Sequence, residues 1–263
     1  MTHDTQTDLQ TIIAAKRQLL QQRQERVPMP AVLALAEMQV HPRPLLNIVT
    51  DGSEVILIGQ ILLAETYDPV AAALAHVRDG VNAVSLFTDD RVYSKGMEDL
   101  LLVARGLRST AVINQNYTLN EYHVTETRAA GASAIVAYSA ALKRDDLRKI
   151  VSLAHRWKMT TIVQVSDEEE MAYAASLSPH VIGVGNGTAL FFDPTHDIAL
   201  LKQLMPMKPF YSRMMPLGCL RHLEDVAAVV DLGVDAVICD TTLIAPRDTS
   251  EQLRALLERD PTW

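Results

Sequence analysis

Three stretches of the chain read as copies of one joint: HVRDGVNAVSL at residues 76–86, TRAAGASAIVAY at 127–138 and VVDLGVDAVIC at 229–239. In each, a helical pattern runs into a glycine (Gly80, Gly131, Gly233), and an apolar run opens three residues later. Glycine adopts the left-handed conformation that closes a helix without steric cost, so each joint passes the chain from a helix into a strand. A joint that recurs along a chain predicts an architecture of repeated strand–helix units.

Working outward from these joints, short apolar runs recur at VILIGQI (55–61), NAVSLFT (82–88), TAVINQ (110–115), SAIVAY (133–138), TTIVQV (160–165), HVIGV (180–184), FYSRMM (210–215) and DAVIC (235–239). They are continuous rather than alternating, as expected of strands buried on both faces. Helical patterns separate them, among them DPVAAALAHVRDG, MEDLLLVARGL, DDLRKIVSLAHRWK and LEDVAAVVDLG. Eight such units without a linker-like break predict an α/β fold of the (β/α)8 TIM-barrel class. An open doubly wound sheet is the alternative, and it would usually carry a Gly-rich turn after its first strand, which IGQILLAETYDP (58–69) lacks.

Two further helices precede the barrel pattern. Residues 8–25 space Leu9, Ile12, Ile13, Leu19 and Leu20 as an amphipathic stripe, and a short helix over 31–38 follows Pro30 and ends at HPRP. The expected division is a helical extension over 1–50 packed on a barrel over 51–263.

The bulk composition narrows the function classes. The 263 residues carry a net charge of −8, with 48% hydrophobic and 21% charged residues. An acidic chain gains nothing from counterion release, so neither nucleic acid nor an anionic membrane is an expected partner. No apolar run reaches the roughly 20 residues that span a bilayer, and the opening MTHDTQTDLQ has no signal-peptide pattern; the expected location is the cytoplasm. Cys219 and Cys239 are too few for a disulfide framework and read as buried thiols.

In a (β/α)8 barrel the chemistry sits at the strand C-termini. Those positions are Gln60 and Leu62, Thr88 to Asp90, Asn114 to Asn116, Tyr138, Gln164, Gly185 to Gly187, Arg213 to Gly218 and Cys239 to Thr242. The third strand ends on three amides, Asn114, Gln115 and Asn116. Amides donate and accept hydrogen bonds but transfer no proton near neutral pH.

The order and spacing of several segments resemble the indole-3-glycerol phosphate synthase family over nearly the whole chain. They are IIAAKRQLLQQRQERVP, YDPVAAALAHVRDGVNAVSLFTDD, YSKGMEDLLLV, YTLNEYHVTETRAAGASAIV, IGVGNGTAL and LEDVAAVVDLGVDAVICDTTLI. The resemblance implies a TIM barrel acting as a carbon–carbon lyase of tryptophan biosynthesis, with a lysine as general acid and glutamates sharing the other proton transfers. Residue by residue, the sequence departs from that pattern. The first-strand Glu-Ile-Lys falls on Gln60-Ile61-Leu62, the third-strand Lys-Asp-Phe on Gln115-Asn116-Tyr117, and the fifth-strand glutamate on Gln164. The seventh-strand Glu-Ser-Gly falls on Leu217-Gly218-Cys219, and the Asn-x-Arg after the sixth strand on Gly185-Asn186-Gly187, where a one-residue shift restores an asparagine at Asn186. The eighth-strand glycine of the phosphate site falls on Asp240, and the first loop lacks the family's Ser-Pro-Ser-Lys-Gly segment.

General acid–base groups are worth roughly 10²- to 10⁴-fold each, so these replacements predict loss of the synthase reaction. The expected ligand pocket is formed by Gln60, Asn114, Gln115, Asn116, Gln164, Asn186, Arg213 and Asp240. With Tyr117, Tyr138, Met214, Met215 and Leu217 it suits a neutral or aromatic small molecule, unless the amides simply satisfy one another. A repurposed or non-catalytic paralogue binding a small molecule or a protein partner is the first expectation. A barrel enzyme of different chemistry, using Arg213, Asp240 or Asp89, is the second, and the ancestral synthase activity the third. Asp89 and Asp90 read as a helix cap or a solvated turn, Arg213 as a carboxylate clamp or an ion pair with Asp240 or another acid, and Lys95 as solvated. His123 reads as surface or helix packing. His155, His180, His196 and His222 have no metal-ligand spacing, so no metal and no cofactor is expected.

Overall fold

The computed structural model describes residues 9–45, 54–62, 68–187 and 190–258. Two helices come first, α1 (Leu9–Arg26) and α2 (Met29–Glu37). Pro30 lies in the first turn of α2, where a missing N–H costs nothing, so that helix starts two residues earlier than the 31–38 expectation. Eight strand–helix units follow. They are β1 (Ile56–Ile61) with α3 (Pro69–Arg78), β2 (Ala83–Phe87) with α4 (Gly96–Gly106), β3 (Ala111–Gln115) with α5 (Glu121–Ala129), and β4 (Ala134–Tyr138) with α6 (Arg144–Arg156). The second half holds β5 (Thr160–Val165) with α7 (Glu168–Ser176), β6 (Val181–Val184) with α8 (Pro194–Leu204), β7 (Arg213–Pro216) with α9 (Leu223–Val230), and β8 (Ala236–Cys239) followed by α10 (Thr241–Ile244) and α11 (Arg247–Leu257).

Every strand pair is parallel, in the order β7-β6-β5-β4-β3-β2-β1-β8. The ring closes between β7 and β8 through main-chain bonds from Asp235 N to Met214 O (2.8 Å) and from Leu220 N to Ile238 O (2.7 Å). The architecture is therefore the (β/α)8 barrel, with helices ahead of it. Gly80, Gly131 and Gly233 all hold φ near +85° (84°, 85° and 85°), the conformation on which the three repeated joints rest.

Strand alternation splits the core in two. Ile58, Ile113, Val136, Ile162, Met215 and Ile238 point inward, in one cluster with Ile12, Ile13 and Leu20 of α1. Leu57, Val84, Val112, Ile135, Val163, Ile182, Met214 and Val237 face the helices. Cluster membership follows strand parity, so a residue's position in its strand decides whether it reaches the barrel axis. One strand departs from expectation: Phe210 and Tyr211 are in a turn and exposed, and β7 starts only at Arg213.

Candidate functional site

The first four inward positions at the strand C-termini form a hydrogen-bonded chain across the barrel. Gln60 Nε2 donates to the main-chain oxygens of Ser85 (3.2 Å) and Ile61 (3.3 Å). Ser85 Oγ donates to Gln115 Oε1 at 3.1 Å, and a side-chain hydrogen bond joins Gln115 to Tyr138. Gln164 Nε2 donates to Gly185 O at 2.5 Å. All five side chains are buried. Two acceptors in this layer, Gln60 Oε1 and Gln164 Oε1, have no hydrogen-bond partner among the described residues.

Two tyrosines roof the amide layer. Tyr117 and Tyr138 stack with centroids 4.5 Å apart, and the Tyr117 hydroxyl donates to Gly187 O at 2.9 Å, tying down the loop after β6. Burial pushes the Tyr117 phenol up to about 12 and the Tyr138 phenol higher still, so both stay protonated donors in the physiological range. Leu217 fills the remaining side, its Cδ1 3.3 Å from where a Cβ at Gly183 would lie.

The expected pocket residues do not all converge. Gln60, Gln115 and Gln164 face the axis, and Asn116 is tethered beside β2 by bonds to Thr88 O (2.9 Å) and Thr88 Oγ1 (2.8 Å). Asn114 points the other way. Its amide bonds Thr127 of α5 at 2.7 Å, behind the sheet, because its parity in β3 is that of Val112. Met214 likewise faces the helices. Arg213 opens β7 rather than ending it, so it lies at the opposite rim of the barrel, 3.1 Å from Asp235, which also pairs with Lys208. That late strand start corrects the expected clamp at the mouth, whereas the other reading, an ion pair with Asp240 or another acid, is met with Asp235 as the acid. Asn186 and Leu62 are exposed at the mouth, and the truncated first loop, over residues 63–67, lies outside the described residues.

Asp240 caps α10, accepting from Thr242 N at 2.9 Å and from the Thr242 hydroxyl. Its own N–H reaches Leu220 O at 3.3 Å, and Cys219 N donates to Leu190 O at 2.9 Å. The main-chain donors on which the resemblance would place a phosphate therefore already have partners in the chain.

Above the tyrosines lies an ionic cluster that the sequence reading missed. The Lys16 ammonium, fully buried, sits 3.6 Å from Asp89 and closer to Asp90. Asp89 is also held by Arg91, and Asp90 by Arg23 at 2.7 Å, which in turn reaches Glu126 at 3.0 Å. Three cations meet three anions. Asp89 accepts from Arg91 N at 3.2 Å and so caps a turn rather than a helix, but it is wholly buried, which corrects the solvated reading: α1 crosses the mouth there. The available signal was the α1 stripe itself, since Lys16 lies four residues from both Ile12 and Leu20, on the apolar face. Burial lowers the Lys16 pKa, and the two aspartates partly offset that effect. His123 is entirely buried beside this cluster, with desolvation first and then Lys16 and Arg23 holding its pKa well below the usual histidine value.

Elsewhere, Lys95 and His222 are exposed. His196 pairs with Asp197 at 2.9 Å. His155 and His180 meet edge to face around Thr161, centroids 4.5 Å apart. Among the described residues no group of three or more His, Cys, Asp or Glu is placed to hold a metal ion, and no helix is long and apolar enough to cross a membrane.

The indole-3-glycerol phosphate synthase family model matches residues 9–256. The chain belongs to the indole-3-glycerol phosphate synthase family. It is 26% identical to the indole-3-glycerol phosphate synthase of Roseiflexus sp. (strain RS-1), over 95% of this chain and 98% of the relative. With that of Chlorobium phaeovibrioides it shares 29% identity over 78% of this chain and 80% of the relative. Among solved structures, 3-hexulose-6-phosphate synthase superposes with a TM-score of 0.61 at 15% identity, covering 77% of this chain and 100% of that one. Thiamine phosphate pyrophosphorylase from Pyrococcus furiosus superposes with a TM-score of 0.59 at 13% identity, over 80% and 98%. These two likenesses speak to the fold alone. Within the synthase family, this member carries Gln60, Leu62, Gln115, Gln164 and Leu217 at the strand ends where the resemblance implies charged catalytic groups.

Proposed function

We propose that this member of the indole-3-glycerol phosphate synthase family does not catalyse the synthase reaction and acts as a non-catalytic or repurposed paralogue. The observation that carries the reading is how the strand-end polar groups are used. Gln60, Gln115 and Gln164 hydrogen-bond the barrel itself, and Asp240 places a carboxylate on the helix N-terminus where a phosphate would otherwise be drawn. A carboxylate at that point repels a dianion, and neutral amides neither supply nor remove a proton.

The ionic cluster supports the same reading. Lys16 and Asp89 are an acid–base pair in composition, but each is already engaged by partners in the chain, and α1 lies over them. Groups so enclosed act as a clasp between the N-terminal helix and the β2 end.

The test is direct. Purified protein incubated with 1-(2-carboxyphenylamino)-1-deoxyribulose 5-phosphate is followed by indole fluorescence, with an active synthase as positive control. No product above the uncatalysed background is expected. Sustained turnover abolished by Lys16→Met or Asp89→Asn, in a folded variant, would overturn the proposal and move the catalytic pair to α1 and β2.

A further inference from the structure

On the face opposite the strand C-termini, a cavity of about 480 Å³ opens between the segment after α2 and the α4–β3 and α5–β4 loops. Four of the residues around it are of basic type: His41, Arg43, Arg105 and Arg108. None is acidic. In a chain of net charge −8 this is a local reversal of sign, and among the described residues no carboxylate pairs with Arg43, Arg105 or Arg108.

The cavity is built rather than incidental. The buried Arg128 side chain bonds the main-chain oxygens of Gln39 (2.9 Å) and Val40 from behind, and Gln39 Nε2 bonds Ala129 O at 2.8 Å, so the wall is pinned to α5. Arg43 is aligned at the rim by its N–H to Ser133 Oγ (3.2 Å) and its Nε to Arg108 O (2.7 Å). Ser133 is buried and acts there as acceptor, which leaves its own O–H as a donor. Val112 and Leu107 give the cavity an apolar side.

We propose that this cavity binds a phosphomonoester with an organic body. Guanidinium groups recognise phosphate oxygens through paired N–H donors. Three of them without carboxylate partners match a dianion better than a single carboxylate. The volume falls within the range of small-molecule sites, roughly 300–1,000 Å³, and the apolar side suits a ring or chain attached to the phosphate. The site is remote from the barrel mouth, so it stands or falls independently of what happens there.

Isothermal titration of the full chain at constant ionic strength tests this, with phenyl phosphate, inorganic phosphate and phenol as probes. The expected result is saturable binding of one phenyl phosphate per chain, weaker binding of inorganic phosphate and none of phenol. The double variant Arg105→Gln/Arg108→Gln should bind at least about ten-fold more weakly through loss of two charge-assisted contacts, while Arg247→Gln, on exposed α11, should bind as wild type. If the double variant does not fold, the single variant Arg105→Gln carries the test, with a loss of several-fold. Absence of saturation, equal affinity of the arginine variants, or equal binding of phenol overturns the proposal.

Discussion

The Nζ of Lys16 sits 3.6 Å from a carboxylate oxygen of Asp89, and neither side chain is exposed to solvent. This pair fastens the N-terminal helix over the barrel mouth at the end of β2. Removing one member of a buried pair typically costs about 3–5 kcal/mol, and the low end applies here because Arg91 still holds Asp89 and Arg23 still holds Asp90. Lys16→Met should therefore lose stability on that scale in chemical denaturation. Adding Asp89→Asn to it should restore part of the loss, giving a coupling energy in the double-mutant cycle. A Lys16→Met protein within about 0.5 kcal/mol of wild type would show that the pair is not what holds α1.

His123 should make the fold acid-sensitive. Its folded pKa lies well below the ordinary 6.5, with burial as the largest cause, so below pH 6.5 the unfolded chain takes up a proton that the folded one refuses. Stability is then lost as pH falls through the unfolded value, at up to about 1.4 kcal/mol per unit. Neither ring nitrogen has a hydrogen bond of good geometry, so His123→Leu should fold. Relative to wild type, the variant should be about 1.4 kcal/mol better placed at pH 5.5 than at pH 7.5. Glu126 shifts in the opposite direction, its pKa raised by burial, but it is common to both proteins and cancels in the difference. A wild-type-minus-variant difference that does not change between the two pH values would refute the assignment.

Gln164→Glu tests whether the mouth tolerates the charge that the family resemblance places there. The amide donates to Gly185 O at 2.5 Å, and a carboxylate would set two acceptors against each other in a buried site. Burial raises the pKa of the new carboxyl, so the folded state holds a proton that the unfolded state has released, and stability falls as pH rises through the window between them. The variant should lose roughly 2–3 kcal/mol at pH 8 and less at pH 5, where the protonated acid still donates to Gly185, and it should gain no synthase activity. Equal loss at both pH values would mean that the carboxyl reaches solvent.

How much of this was legible before folding depends on the range over which each signal acts. The joints at Gly80, Gly131 and Gly233 are local, because a positive φ and the following strand are set within a few residues. The barrel could therefore be read directly. Which face a strand residue presents requires the strand's true start, and three residues of error at β7 moved Arg213 from one rim of the barrel to the other. Asn114 was misplaced by parity within a strand correctly found. The clasp joins Lys16 to Asp89 and to Asp90, the latter 74 residues away, a tertiary pairing for which the sequence offered only Lys16's place on an apolar stripe.

The two cysteines should be inert in the native protein. Burial raises the Cys219 pKa, with Asp240 adding to it, and burial raises that of Cys239 further. The thiolate is the reactive form, so both protection and protonation slow attack. A chromogenic disulfide reagent at pH 8 should titrate essentially no thiol in the folded chain and both in denaturant. Rapid reaction of either in the native state would place it at an accessible surface.

Gly218 should be the least replaceable glycine near the mouth. A Cβ there would lie 2.6 Å from both the N and the Cα of Phe192, which are main-chain atoms fixed by the bond from Phe192 N to Cys219 O at 3.1 Å. Neither neighbour can rotate away, so Gly218→Ala must push the β6 and β7 loops apart, at a cost of about 1–3 kcal/mol or more. Gly233→Ala provides the contrast, since that position has open space around it and only the positive φ opposes a side chain, worth roughly 1–2 kcal/mol. The two should also differ in where they act. Gly218→Ala should raise hydrogen exchange at Cys219 and Phe192, whose amides bridge the loops, whereas Gly233→Ala should leave those amides protected. Unchanged protection of Cys219 in Gly218→Ala would show that the loops absorb the methyl without separating.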